Sequence, residues 1–290
     1  TSLPEVATTL SAAASQARDL VLNNLFGGIA LQTAILAMSD FWAQRSITGY
    51  PRKANHALEA TLLVLLLSVA LIIIGLGETI VVFQVGIGSV LIALTYAGAI
   101  WLLRRYDGSN DWVPVDLPDP DPLPFPAPSG LAEASNTGLI WQVILACVAI
   151  LVFGLLLIIF ADRIAAQSGL GTSFVGVTLL AAATSLPELT TSITAVRIGA
   201  YTMAISNIFG SNLIMTLLIL PADLLYLPGT LLQQADASAM FALTCGMIVT
   251  ALYVIGLLVR TRRRILGMGY DSLAVLLIYL GSLIVLFRLR

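Results

Sequence analysis

The sequence predicts an all-α polytopic membrane protein built as an inverted repeat of five-helix units. Three observations carry that prediction. Of 290 residues, 58 % are hydrophobic and only 10 % charged, with a mean hydropathy of +0.96, whereas soluble domains carry about 25 % charged residues. Several runs of 18 or more residues hold almost no charge, the length that crosses a hydrocarbon core. Finally, one polar phrase, Thr-Ser-Leu-Pro-Glu, stands at residues 1–5 and again at 184–188. Composition excludes other classes. A net charge of −2 and the lack of a basic patch give no footing for nucleic acid. Cys147 and Cys245 both lie in apolar runs, where buried unpaired thiols are ordinary.

The elements follow in order. Residues 1–16 read as the second half of a spanning helix, closed by a turn at Arg18 and Asp19. Leu20 to Trp42 spans, with Asn23, Asn24, Gly27, Gly28 and Gln32 on a face too polar for lipid. A basic loop follows with Arg45, Arg52, Lys53 and His56, the last read as a plain loop residue. Leu58–Gly77 and Thr79–Leu103 are the next spans, separated by a turn at Glu78. Residues 106–136 hold seven prolines and six acids without a Lys or Arg, the composition of an extended, solvated linker. Gly138–Phe160, Leu170–Val196, Thr202–Tyr226, Ser238–Val259 and Tyr270–Phe287 complete the spans. The units are therefore 1–105, the linker 106–136, and 137–290.

The duplication is longer than five residues. Residues 1–40 align with 184–223 without a gap and 13 of the 40 positions are identical, including Asn24/Asn207, Phe26-Gly27/Phe209-Gly210 and Asp40/Asp223. Chance likeness between apolar helices supplies Leu and Ala, not Pro, Glu, Asn, Gly and Asp in register. When spans alternate sides, ten basic residues collect on one side and four on the other. The richer side is cytoplasmic, and the linker with it, which suits the plasma (inner) membrane. The same assignment runs the first motif outward and the second inward. Such inverted repeats with interrupted helices are an architecture of secondary transporters. Asp40 and Asp223 lie near helix ends, where an ordinary interface or capping role is expected rather than ion conduction.

The motif itself suits a cation. Proline has no N–H, so Pro187 leaves the Ala183 carbonyl without its helical partner. Thr184 and Ser185 add hydroxyls and Glu188 adds charge; Thr1, Ser2 and Glu5 repeat the set. Carboxylate, carbonyl and hydroxyl oxygens are hard ligands for Ca²⁺ or Na⁺. Two facing units supply two charges, matched to one Ca²⁺ or two monovalent ions. The plainer reading, a helix kink with a neutral or paired Glu, does not explain a duplicated intramembrane acid. No enzyme motif is present: there is no zinc-site spacing, no Gly-x-Ser-x-Gly, and no paired aspartates within spans.

At these residues the chain resembles the calcium/cation antiporter superfamily, specifically its sodium/calcium exchanger branch. The motifs are Thr1–Glu5 followed by Asn24-Leu25-Phe26-Gly27-Gly28, and Thr184–Glu188 followed by Asn207-Ile208-Phe209-Gly210-Ser211-Asn212. The resemblance implies ten helices in two inverted sets of five. About eight and a half are counted here, so one and a half helices are expected upstream of Thr1. It implies alternating-access exchange of Ca²⁺ against Na⁺, with no cofactor and the lipid bilayer as setting. Glu5 and Glu188 would be the shared carboxylates, and Thr1 and Thr184 would offer carbonyls to Ca²⁺. Ser2, Ser185 and Ser211 would serve Na⁺, with a carbonyl near Ala181 and the amides Asn24, Gln32, Asn207 and Asn212 as further candidates. Gly28, Gln32 and Met215 depart from the pattern, which has Ser at the first and Asn or Asp at the others. Proton-coupled exchange, or a transport-inactive homologue with a structural role, are the alternatives. The sequence carries no signal for oligomeric state.

Overall fold

The computed structural model describes residues 2–78, 80–82, 84–107, 136–233, 235–260 and 263–289. Thr1 and most of the Pro-rich linker lie outside the described residues. The helices are α1 (Leu3–Ala14), α2 (Arg18–Ser39), α3 (Asn55–Leu76), α4 (Ile87–Asp107) and α5 (Asn136–Ser168). Then come α6 (Thr172–Thr184), α7 (Leu186–Arg197), α8 (Tyr201–Leu217), α9 (Ile219–Leu225), α10 (Ala237–Val259) and α11 (Tyr270–Leu289). Among the described residues, six helices are long and apolar enough to cross a membrane, and the bent pair α6–α7 makes a seventh. At 33 residues α5 is about 50 Å long, while α1 has 12 residues. The protein is an integral multi-pass membrane protein.

The 183-residue offset seen in the motifs persists far beyond residue 40. α1 and α7 end at Ala14 and Arg197, α2 and α8 start at Arg18 and Tyr201, and α3 and α10 end at Leu76 and Val259. Two short hairpins keep the same register: β1 (Val81–Val82) with β2 (Val85–Gly86), and β3 (Arg264–Ile265) with β4 (Met268–Gly269). Even the left-handed backbone positions match, with Gln16 opposite Gly199, Gly77 opposite Arg260, and Gln84 opposite Gly267.

The hairpins correct the expectation that a helix starts at Thr79; α4 begins at Ile87. Ile80, Val81 and Val82 are β-branched and favour extended backbone, and the hairpin has an anchor. Asp223, at the end of α9, accepts Gly86 N–H at 2.8 Å, Ser89 Oγ at 2.8 Å and Leu231 N–H at 2.7 Å. Asp40 does the same for the other hairpin, accepting Gly269 N–H at 2.6 Å and Ile47 N–H at 2.7 Å. Each repeat thus ties down the hairpin of the other, as a two-fold relation between them requires. Both aspartates anchor hairpins rather than capping the helices that carry them. His56 departs from its loop reading: it lies in the first turn of α3, with Nδ1 3.2 Å from Glu59 Oε2 and 3.2 Å from Ser206 Oγ.

Burial sorts the helices. The span containing α2 is 94 % buried over its most apolar window, against 22 % for α4 and 28 % for α11. α2 is therefore the central strut, packed on α10, α11, α8 and α6, while α4 and α11 present apolar side chains outward to lipid. Gly27 allows the closest approach: a Cβ there would stand 2.8 Å from the Val177 backbone. α6 carries a π-turn over Gly176–Leu180 at this crossing.

Candidate cation site

The site grows from the break between α6 and α7. The two segments meet at 49° around Ser185. Pro187 can donate nothing to the Ala183 carbonyl, so the hydrogen-bond ladder resumes around it, with Ser185 N–H on Ala181 O at 3.0 Å and Leu189 N–H on Ser185 O at 3.0 Å. Ala181 O also accepts Thr184 Oγ1 at 3.1 Å. Of the two carbonyls singled out in the sequence, Ala181 is therefore engaged, and Ala183 is the one to which Pro187 cannot donate. α1 opens the same way at Pro4, where Val6 N–H reaches back to Ser2 O. Thr8 and Thr191, in matching register, close the turn by donating to Pro4 O and Pro187 O, each at 2.9 Å.

This geometry sets Glu5 and Glu188 at the first turns of α1 and α7, both fully buried. A first-turn carboxylate also meets the positive end of the helix dipole. The contacts then cross between repeats. Gln32 Nε2 donates to Glu5 Oε1 at 3.1 Å and to Ser185 Oγ at 3.4 Å. Ser2 Oγ donates to Ser211 Oγ at 2.9 Å, and Ser211 Oγ donates to Glu188 Oε1 at 3.3 Å. Each carboxylate therefore has one oxygen engaged. Glu5 Oε2, Glu188 Oε2 and Gln32 Oε1 are buried with no partner among the described residues. Buried acceptors of that kind demand a proton, a water or an ion.

Other expected ligands fall around this centre. Asn212 is buried and donates to Thr33 Oγ1 at 3.3 Å, its Oδ1 left without a partner. Both amide atoms of Asn24 are buried and unpartnered. Asn207 turns away, donating to Thr191 Oγ1 at 3.0 Å. Thr9 and Ser192 were missed. They share one register, lie four residues beyond each carboxylate on the same helix face, and are buried with unpartnered hydroxyls. Their signal was a Thr opposite a Ser in the repeat alignment, a hydroxyl match rather than an identity. The departures Gly28 and Met215 prove to be partners: a Cβ on Gly28 would stand 2.5 Å from Met215 Cε. Among the described residues no group of three His, Cys, Asp or Glu gathers elsewhere.

Residues 138–288, just over half of the chain, match the family described as sodium/calcium exchanger protein. The chain belongs to the sodium/calcium exchanger family. That family is one of transporters rather than enzymes. Among individual relatives, the sodium/calcium exchanger MaX1 of Methanosarcina acetivorans is 28 % identical over 148 residues, covering 51 % of this chain and 40 % of that protein. The match thus spans less than half of that relative's length. Two solved structures share the fold of this family member. The H⁺/Ca²⁺ exchanger CAX superposes with a TM-score of 0.62 at 16 % identity, covering 99 % of this chain and 73 % of that one. The sodium-calcium exchanger NCX_Mj superposes with a TM-score of 0.57 at 18 % identity, covering 97 % and 82 %.

Proposed function

We propose that the chain is a secondary-active cation antiporter that moves Ca²⁺ against Na⁺ by alternating access at one site between Glu5 and Glu188. The observation that carries this is the pair of buried carboxylates, each with one unpartnered oxygen and each on a hydrogen-bonded relay that reaches the other repeat. Two carboxylates match the charge of one Ca²⁺. The Ala183 carbonyl, the Ser2, Ser185 and Ser211 hydroxyls and Gln32 Oε1 supply hard neutral oxygens beside them. Thr1, Thr184, Asn24 and Asn212 complete the ligand shell in this reading. The units 1–105 and 137–290 act as inverted halves, joined by a cytoplasmic linker over 106–136 in the plasma membrane.

Proton coupling is the second reading, and one observation favours it. Gln32 Nε2 already bridges a carboxylate of one repeat and a hydroxyl of the other, a position where a Na⁺ ion would gather the same oxygens. Protons on the two carboxylates need no such room. Ca²⁺ uptake into proteoliposomes separates the two, run once with an outward Na⁺ gradient at equal pH and once with a pH gradient free of Na⁺. Uptake in the first arm supports Na⁺, and uptake only in the second supports H⁺. In either arm, uptake by Glu188→Gln as fast as by the parent chain contradicts the site.

A further inference from the structure

The first turn after each proline is held in two layers, and the outer layer differs between the repeats. Thr191 Oγ1 closes its turn on Pro187 O at 2.9 Å and Glu188 O at 3.1 Å. Thr8 Oγ1 does the same on Pro4 O at 2.9 Å and Glu5 O at 3.3 Å. Behind Thr191 stands Asn207 of α8, whose Nδ2 donates to Thr191 Oγ1 at 3.0 Å. The turn that carries Glu188 is therefore set by a threonine that an asparagine sets in turn.

The first repeat has the same two residues in the same register: Thr8 matches Thr191, and Asn24 matches Asn207. Yet the tie is not made there. Asn24 is 1 % exposed, and neither Nδ2 nor Oδ1 has a partner among the described residues. Thr8 is fully buried on the neighbouring helix α1, its hydroxyl closing only its own turn. One tie is thus closed and its copy in the inverted repeat is open. A buried amide with both polar atoms unbonded is costly, and the bond that would relieve it is the one its counterpart already makes.

We propose that Asn24 and Asn207 are positioning residues that trade states during the exchange cycle: the tie from Asn207 to Thr191 is closed while one face of the membrane has access, and the tie from Asn24 to Thr8 is closed while the other has. The inference rests on alternating access at Glu5 and Glu188. In inverted repeats, the arrangement of one half in one state becomes that of the other half in the next. One hydrogen bond breaks as its copy forms, so the two states stay close in free energy, and a modest difference in cation contacts tips the balance. Each closure fixes the first turn of α1 or α7, and with it the carboxylate that the turn carries. The tie engages only Nδ2, so Asn24 keeps its Oδ1 for the ligand shell.

The test uses the full chain in lipid nanodiscs without Ca²⁺ and reads hydrogen exchange by mass spectrometry over residues 3–10 and 186–193. In the parent chain the α7 turn is expected to exchange about tenfold more slowly than the α1 turn, the worth of one hydrogen bond. Asn207→Ala frees the α7 turn and moves the population to the other state, so the order reverses and the α1 turn becomes the slower. Thr191→Val removes the acceptor, leaves Asn207 in place and gives the same reversal. Adding Asn24→Ala to Asn207→Ala leaves both turns fast. A merely structural tie would speed the α7 turn in Asn207→Ala and leave the α1 turn as it was. That result overturns the inference, and so do equal rates for the two turns of the parent chain. Ca²⁺ binding is titrated on the parent chain and on Glu188→Gln alongside. Binding that Glu188→Gln does not weaken brings down the cation site itself, whereas weakened binding without the reversal overturns the inference alone.

Discussion

Glu5 and Glu188 share a register, a helix turn and a proline, yet their pockets are built differently. Glu188 is held by Ser211 of its own repeat, through a relay that starts at Ser2 of the other. Glu5 is held by Gln32, where the second repeat has Met215. The backbone repeats faithfully and the ligands do not. Duplicated helices fix where the carboxylates stand, while single side chains on α2 and α8 differ around them.

The sharpest way to break the comparison is at the paired glycines. Gly27 meets the Val177 backbone, whereas nothing lies within 4 Å of a Cβ on Gly210. Gly27→Ala should cost about 1–3 kcal/mol, because backbone cannot rotate out of the way as a side chain can. Gly210→Ala should be neutral or stabilising by up to about 1 kcal/mol through helix propensity alone. Thermal unfolding in detergent compares the two; equal losses would show that the α2–α6 crossing is not the close contact described.

A smaller effect is expected at Gly28 and Met215. Gly28→Ser meets only the flexible tip of Met215, so a loss of about 1 kcal/mol is expected. In a Met215→Ala background the same serine enters vacated space and should gain stability, a coupling of about 1 kcal/mol or more between the sites. Additive effects in a thermal double-mutant cycle would mean that the two residues do not touch.

The smallest effect separates the hairpins. Burial, ahead of the nearby Asp223, pushes the Glu78 carboxyl above its ordinary value of 4.5, despite the opposing hydrogen bond from Gly88 N–H. Because its folded value is raised, Glu78 contributes stability that is fully present below about 4.5 and is lost as pH rises through the folded value. Glu78→Gln keeps an acceptor for Gly88 N–H and should flatten the pH profile of unfolding, with a gain at neutral pH. At the second hairpin, Thr261 stands in the register of Glu78, so no equivalent change is available there. A profile unaltered by Glu78→Gln would remove Glu78 from the account.

Much of this was legible in the sequence because polar residues in apolar helices are informative. Pro4, Glu5, Asn24, Gly27 and Asp40 recur in register, and the fold places their counterparts on matching elements. Beyond residue 40 the likeness fades from the sequence although the elements keep their offset to α11. Lipid-facing Leu, Ile, Val and Ala interchange freely there, so register survives where identity does not. The hairpins were not legible, since two-residue strands have no periodicity and their anchors, Asp223 and Asp40, lie more than 130 residues away. The Gly28–Met215 contact was hidden for the same reason: each looked like a missing ligand, and only packing shows that one fills the space beside the other.

The central claim is that Glu5 and Glu188 are one site rather than two. Calorimetric titration of Ca²⁺ into the purified chain tests it directly, with Glu5→Gln and Glu188→Gln measured beside it. A single binding event per chain, lost in each variant alone, is the predicted result. Binding that survives either substitution with unchanged affinity would contradict it.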